Sequence, residues 1–262
     1  MGPYFALLRV RLALLFTYRA AAFAGLFTQV FWALVYVMIL KAFYGSASHA
    51  EPLSLKQAVA FVWIGQSLVP LLPWTIDREV EAQIRSGHVA YELIRPLHLY
   101  RLWFVHCFGL KLFPALIRGT PVICIGIVFG GLEPASLLAF CGFLASVFLG
   151  LFVASAMATC IVVSLFWTLT GDGIRRIVPS VAVLLSGLIV PLPLFPDWMQ
   201  PILDLQPFRC LFDIPCRLYT GVIPIEQLGF YLLFQLIWAL LLIWLGKSTL
   251  ARAMKLFVIQ GG

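Results

Sequence analysis

Residues 134–169 read PASLLAFCGFLASVFLGLFVASAMATCIVVSLFWTL, an apolar block without a single Asp, Glu, Lys or Arg. A helix crosses the roughly 30 Å hydrocarbon core of a bilayer with about 20 apolar residues, so this block is long enough to span it. The whole chain is 62% hydrophobic and 11% charged, whereas soluble domains are about 25% charged. We therefore predict that residues 1–262 form one integral membrane domain.

Similar apolar blocks recur along the chain and predict six transmembrane helices: 20–44, 55–74, 99–129, 134–169, 177–194 and 227–245. Helices are expected because a helix satisfies its own backbone hydrogen bonds in lipid, so the predicted fold class is an all-α integral membrane protein. Ahead of the first block, in residues 1–19, Arg9 and Arg11 interleave with Phe5 and Leu8. That pattern is typical of a helix lying in the membrane interface.

The third apolar block is the least regular, because it contains Lys111, Pro114 and Arg118. A charge at the centre of the bilayer costs about 2.5–3.5 kcal/mol on insertion scales. We therefore expect the first half of this block to lie near the cytoplasmic surface or against protein.

The distribution of Lys and Arg predicts the orientation, since cytoplasmic loops of membrane proteins carry an excess of these residues. With the N-terminus inside, twelve are cytoplasmic: Arg9, Arg11, Arg19, Arg78, Arg85, Arg95, Arg101, Arg175, Arg176, Lys247, Arg252 and Lys255. Four fall outside: Lys41, Lys56, Arg209 and Arg217. Both termini are thus predicted to be cytoplasmic. Because these residues flank apolar blocks, the net charge of +7 indicates topology and not nucleic-acid binding.

One predicted cytoplasmic loop, residues 76–97, is a dense polar island with the sequence IDREVEAQIRSGHVAYELIRPL. Ile76, Val80 and Ile84 recur every four residues and are separated by charged residues, which predicts a short amphipathic helix. Gly87 follows at the position of a left-handed C-terminal cap.

The end of this loop is predicted to bend, because Pro96 disfavours helical backbone at the residue before it. A mixed-charge helix held at the membrane surface by bends is suited to docking into a groove on a cytoplasmic protein. The alternative is a solvated loop whose charges only fix topology. An active site is not indicated, because Glu79, Glu81 and Glu92 have no metal partner or nucleophile in a recognisable arrangement.

Three segments of the chain resemble permease subunits of type-2 ATP-binding-cassette (ABC) exporters. The first is similar to the family signature I-x-x-G-x-I/V-x-x-x-L-L/I-R-P-L, with Ile84, Gly87, Val89, Leu93, Ile94, Arg95, Pro96 and Leu97. The second is the Pro-rich stretch of residues 191–221, PLPLFPDWMQPILDLQPFRCLFDIPCRLYTG. The third is VIQGG, residues 258–262. With the interface helix and six spans, the resemblance covers essentially the whole length.

The resemblance implies a role for each of the first two segments. By this resemblance, residues 76–97 contain the coupling helix, which transmits the closure of an ATPase subunit to the spans. The residues implied to contact the ATPase subunit are Glu79, Glu81, Ile84, Arg85, Gly87, Arg95 and Pro96. Residues 191–222 become short re-entrant helices on the outer side, a candidate gate with Pro193, Pro196, Trp198, Pro207, Phe208, Pro215 and Gly221. So many prolines are incompatible with one lipid-facing helix. An ordinary extracellular loop is the alternative.

The chain contains no G-x-x-x-x-G-K-S/T motif, so it is predicted neither to bind ATP nor to be an enzyme. The resemblance implies two copies of a separate cytoplasmic ATPase subunit that carries ATP and Mg²⁺. It also implies a second permease, either this chain or a relative, and a location among the lipids of a bacterial inner membrane. Two other hypotheses stay open: an ATP-independent carrier or channel, and a membrane enzyme that modifies lipid.

Sparse polar residues in predicted spans one, two and five are candidates for a substrate pathway between two permeases: Gln29, Gln66, Ser67, Thr75, Ser180 and Ser186. Each is equally suited to bonding a helix backbone. The six Cys residues show no metal-binding spacing. Cys210 and Cys216 share a segment and are expected to pair only if that segment faces an oxidising space.

Overall fold

The computed structural model describes residues 3–17, 19–46, 53–74, 78–93, 97–168 and 172–256. The regular structure in these residues is helical: α1 (Pro3–Thr17), α2 (Arg19–Ser46), α3 (Leu55–Leu68), α4 (Arg78–Arg85), α5 (Val89–Leu93), α6 (Leu99–Pro114), α7 (Thr120–Gly130), α8 (Leu137–Ser164), α9 (Asp172–Leu185), α10 (Gln200–Leu205), α11 (Asp213–Tyr219) and α12 (Leu228–Leu256). A π-helical turn, Ala115–Gly119, joins α6 to α7. The predicted all-α class is confirmed for the described residues.

Four helical segments are long and apolar enough to cross a membrane: Ala20–Ser46, Leu99–Gly130, Leu137–Ser164 and Ile225–Lys255. They coincide with four of the six predicted blocks. The other two blocks overlap α3 and α9, which have 14 residues each, or about 21 Å at 1.5 Å per residue. α9 begins before its predicted block, at Asp172. The described residues therefore form a multi-pass membrane protein with four helices of spanning length, and the predicted count of six is not confirmed.

Turn-forming residues end α3 and α9 before their apolar blocks end. The start of α3 is fixed by a capping box, in which the side chains of Ser54 and Gln57 each accept a hydrogen bond from the other's backbone N–H. The end of α3 gives way to a short 3₁₀ turn that contains Pro70. Beyond α9, Gly187 has φ +90°, a left-handed conformation that stops a helix.

The irregular third block is one helix interrupted after Pro114. Proline has no N–H to donate, and the backbone accommodates this with the π turn that follows. Lys111 is fully buried, and its Nζ donates a hydrogen bond of 2.9 Å to the carbonyl oxygen of Leu72. The expectation that this half of the block lies against protein is thereby confirmed.

α8 is the central helix of the bundle and packs against α6, α11 and α12. Two apolar clusters lie along it. The larger cluster joins α3, α8, α11 and α12 through residues such as Trp63, Phe143 and Phe212. The smaller cluster joins the start of α6 to the C-terminal ends of α8 and α12, through Trp103, Val162 and Leu250.

Contacts also separate the connecting segments into two ends of the bundle. At one end, α1, α4 and α5 lie against the start of α6 and the C-terminal part of α12. At the other end, Lys56 Nζ donates to Glu133 at 2.7 Å, and Ala135 N–H donates to the carbonyl oxygen of Tyr219. The hydrogen bond from Lys56 lowers the pKa of the Glu133 carboxyl group. We call these the α4 end and the α11 end.

Candidate functional site

The amphipathic helix predicted in the polar island is α4, and its apolar face is buried against the bundle. Val80 is 2% exposed and Ile84 is 8% exposed, and both belong to the smaller cluster with Trp103. This burial confirms the predicted apolar stripe at these two positions, whereas Ile76 lies outside the described residues. Burying a Val or Ile side chain contributes about 1.5–3 kcal/mol, so the apolar face anchors α4 to the helices beneath it.

Glu81 links α4 to the start of α9. One of its carboxylate oxygens accepts a hydrogen bond of 2.8 Å from Arg85 on α4, and both of its oxygens lie 3.2 Å from Arg175 on α9. The Glu81 side chain is 12% exposed. It therefore faces the bundle and not the surrounding solvent, and it connects the polar island to an element 94 residues away.

Arg11 links α4 to α1 and α6. Its Nη2 donates a hydrogen bond of 3.2 Å to Glu79 and lies 2.8 Å from Nδ1 of His106. Glu79 still exposes 65% of its side chain. The sequence pattern gave no signal for Arg11, His106 or Arg175 as partners of α4, because each is distant along the chain and lies in a different helix.

The remaining residues of the predicted coupling helix fall into three groups. Arg85 and the neighbouring Ala82 are exposed. Gly87 has φ +74°, as predicted for a left-handed cap, and α5 follows it with Val89 fully buried. Arg95 and Pro96 lie outside the described residues. Among the α4 side chains that the structure describes, those of Glu79, Ala82 and Arg85 are exposed.

Two of the predicted pathway residues, Gln29 and Gln66, line one cavity of about 570 Å³. The cavity lies between α2, α3, the π turn and α9, and Arg118 also lines it. Arg118 was not among the residues predicted for the pathway. Its place in an apolar block next to Pro114 was the available signal.

The hydroxyl groups of the three predicted pathway serines bond to backbone carbonyl oxygens. Ser67 and Ser180 donate their hydroxyl hydrogens to carbonyl oxygens three or four residues earlier in their own helices. Ser186, which directly follows α9, donates to the carbonyl oxygen of Val183 in that helix. This is the alternative use expected of small polar residues in spans. Thr75 lies outside the described residues.

The Pro-rich segment of residues 191–222 is folded into short helical pieces, three of them 3₁₀ turns. Pro193, Pro207 and Phe208 are half-buried and Pro215 is buried, whereas Pro196, Trp198 and Gly221 are exposed. Gly221 has φ +70° and lies against Ala135 at the α11 end. The prolines start or interrupt the short pieces, as the loss of their N–H groups requires.

This segment reaches the middle of α8. A Cβ at Gly150, halfway along the 28-residue helix, would lie 2.7 Å from the carbonyl oxygen of Cys210. Gln235 on α12 donates to the same oxygen at 2.9 Å and to the carbonyl oxygen of Ser146 at 3.1 Å. Cys210 and Cys216 are buried free thiols and do not pair.

A buried ion pair holds the segment together. Arg209, which is 3% exposed, lies 3.1 Å from Asp213, which is fully buried, and 2.6 Å from the half-exposed Asp204. Its guanidinium group also lies over the ring of Tyr231 on α12. This ion pair was not predicted from the sequence.

Comparison with known proteins identifies the chain through its family. No curated protein and no solved structure matches it. The family described as ABC-2 family transporter protein matches residues 54–261, which include α3 to α12. The chain therefore belongs to the ABC-2 transporter family, whose members are membrane permease subunits of type-2 ABC transporters.

Proposed function

We propose that this chain is the permease of an ATP-driven exporter, that it works as a dimer of permeases, and that two separate ATPase subunits drive it. The observation that carries this proposal is the seating of α4. Glu79, Ala82 and Arg85 are exposed, whereas Val80 and Ile84 are buried in an apolar cluster that also contains residues of α6, α8 and α12. A displacement of α4 by an ATPase subunit would therefore reach the long helices through the packing of this cluster.

The proposal divides the predicted coupling residues by role. Glu79 and Arg85 face outward and contact the ATPase subunit, together with Ala82. Ile84 and Glu81 face inward and transmit the movement, Ile84 through the apolar cluster and Glu81 through Arg175 on α9. Gly87 turns the chain between α4 and α5.

ATP and Mg²⁺ bind to the ATPase subunits, because this chain lacks the glycine-rich phosphate loop. We infer from the Lys and Arg bias that the α4 end and both termini lie on the cytoplasmic side of a bacterial inner membrane. In that orientation α3 and α9 complete six crossings, and residues 191–222 form the re-entrant gate on the outer side. Irregular backbone at membrane depth requires surrounding protein, which the contacts with Gly150 and Gln235 supply.

The test is reconstitution of the full chain with a co-expressed P-loop ATPase that has no spans of its own. We expect Ala82→Arg and Glu79→Arg to lower transport-coupled ATP hydrolysis at least tenfold. Ala82→Arg adds a large charged side chain to the docking face, and Glu79→Arg reverses a charge on it. Glu226→Arg, the same charge reversal at an exposed position outside the gate segment, is the matched control and should keep wild-type coupling. Wild-type coupling in both α4 variants, or substrate flux from the chain without an ATPase, would reject the proposal.

A further inference from the structure

Arg118 is a charged residue in the middle of a spanning segment. It lies about 28 Å from Leu99 and about 18 Å from Gly130, at 1.5 Å per residue. A charge at this depth is costly, and residues that bear it usually face a cavity and serve a function. Arg118 makes no ion pair with any acidic residue that the structure describes.

The surroundings of Arg118 lack a negative charge to balance it. None of the described residues that line the 570 Å³ cavity is acidic. The guanidinium group lies across α2 at Gly25, where a Cβ would come within 2.6 Å of Nη1. The guanidinium group therefore packs against the cavity wall in the space that the missing side chain of Gly25 leaves. Its hydrogen-bond donors are available to a ligand.

Gln29 supplies an independent sign of a missing partner. It is 6% exposed, it lines the same cavity, and its Oε1 has no hydrogen-bond partner among the described atoms. A buried amide oxygen left unsatisfied is destabilising, because it has lost water without gaining another hydrogen-bond partner. A ligand that brings a hydroxyl group next to its anionic group would satisfy both Gln29 and Arg118.

The rest of the cavity suits a hydrocarbon chain. Its walls are mainly apolar, with Trp32, Leu110 and Leu188 among the lining residues, and its volume lies within the range of about 300–1,000 Å³ usual for ligand pockets. Trp32 and Trp74 are about half-exposed. An amphiphile can thus place its head group at Arg118 and extend its tail along this apolar wall.

We propose that this cavity binds an anionic amphiphile, with Arg118 pairing with a phosphate or carboxylate and Gln29 accepting a hydrogen bond from an adjacent hydroxyl group. Guanidinium groups bind phosphate through paired, charge-assisted hydrogen bonds, which selects the head group by geometry as well as charge. The ligand is either the exported cargo, which rests on the proposed function, or a lipid of the surrounding bilayer. The chemistry at Arg118 is the same in both cases.

The first arm of the test measures binding to the full chain alone in dodecyl maltoside, by native mass spectrometry. The probes are dodecyl phosphate and dodecyl phosphoglycerol, and the neutral detergent with the same tail is present in excess throughout. We expect one tightly bound probe per chain. Arg118→Gln should weaken both probes at least tenfold, whereas Gln29→Leu should weaken only dodecyl phosphoglycerol, about fivefold.

Two further variants separate a loss of binding at Arg118 from a failure to fold and from a general loss of positive charge. Gly25→Ala retains every charge and displaces the Arg118 guanidinium, so it should weaken both probes even if Arg118→Gln fails to fold. Arg101→Gln removes an exposed arginine near the α4 end and should bind as the wild type does. Wild-type affinity in Gly25→Ala and Arg118→Gln, or equal weakening in Arg101→Gln, would overturn the proposal.

The second arm separates the two sources of the ligand in liposomes that also contain the ATPase subunit. Stimulation of ATP hydrolysis by dodecyl phosphoglycerol that disappears in Arg118→Gln identifies cargo. Binding that persists without stimulation, and that phosphatidylglycerol vesicles compete away, identifies a bilayer lipid. Since the first arm needs no ATPase, a failure of the exporter proposal would leave its result intact.

Discussion

At the scale of single residues, the packing of the Pro-rich segment depends on buried charged side chains. Arg209 and Asp213 are both buried, and Arg217 Nη1 lies 3.5 Å from the same carboxylate. Taking charges out of water is costly, and removal of one partner from such a group leaves the others uncompensated. Asp213 therefore neutralises two arginines at once, whereas Asp204 meets Arg209 at a surface that water reaches.

This difference predicts unequal effects of two similar substitutions. Asp213→Asn should destabilise the protein by about 3–5 kcal/mol, because it leaves Arg209 buried without its inner counter-charge. Asp204→Asn should cost about 1 kcal/mol or less, because its side chain is 55% exposed. Thermal unfolding in detergent gives the comparison. Equal unfolding midpoints for the two variants would show that the buried pair does not hold the segment.

At the scale of elements, the contact between the Pro-rich segment and α8 requires the absence of a side chain at Gly150. The atom that a Cβ would meet is a backbone oxygen, which cannot turn aside as a flexible side chain does. α8 thus accepts the segment at its midpoint only because this position is glycine.

Gly150→Ala is therefore expected to destabilise the protein by about 1–3 kcal/mol, since it forces residues around Cys210 away from α8. Gly229→Ala is the matched control in α12, where nothing lies within 4 Å of the added methyl group. That control should be neutral or stabilising, because Ala favours a helix more than Gly by about 1 kcal/mol. Hydrogen exchange of residues 207–213 reports the displacement, and unchanged exchange in Gly150→Ala would contradict it.

The elements also show what the sequence can predict. α4 was predictable because its apolar stripe and Gly87 are short-range signals that survive in the fold. The lengths of α3 and α9 were not, because hydrophobicity runs on through Pro70 and Gly187 while the helices stop. Apolar composition reports the surroundings of a segment and not where its helix ends.

The candidate sites follow the same rule. Gln29 and Gln66 were predictable as polar residues in apolar blocks, and the fold brings them to one cavity. Arg118 joins them only through the packing of the π turn against α2 and α3. The link from Glu81 to Arg175 joins residues 94 positions apart, a distance at which no local pattern carries information.

At the scale of the whole molecule, the contacts that separate the α4 end from the α11 end match the distribution of charge. Arg85, Arg175 and Arg252 belong to segments near the α4 end, and few basic residues lie at the other. Basic residues are retained on the cytoplasmic side during insertion. Packing and charge therefore support the proposed orientation of the bundle, with the α4 end in the cytoplasm.

That orientation predicts which surface positions react from each side of the membrane. Arg252→Cys, near the end of α12, should be labelled by a membrane-impermeant maleimide only in inverted vesicles. Asp197→Cys, in the Pro-rich segment, should be labelled in intact cells. Both positions are exposed, so the side of the membrane on which each lies, and not burial, decides whether it is labelled. The unsubstituted chain, whose own cysteines lie in or near the apolar helices, sets the background. Labelling of Arg252→Cys from outside intact cells would invert the molecule and remove α4 from the reach of a cytoplasmic ATPase.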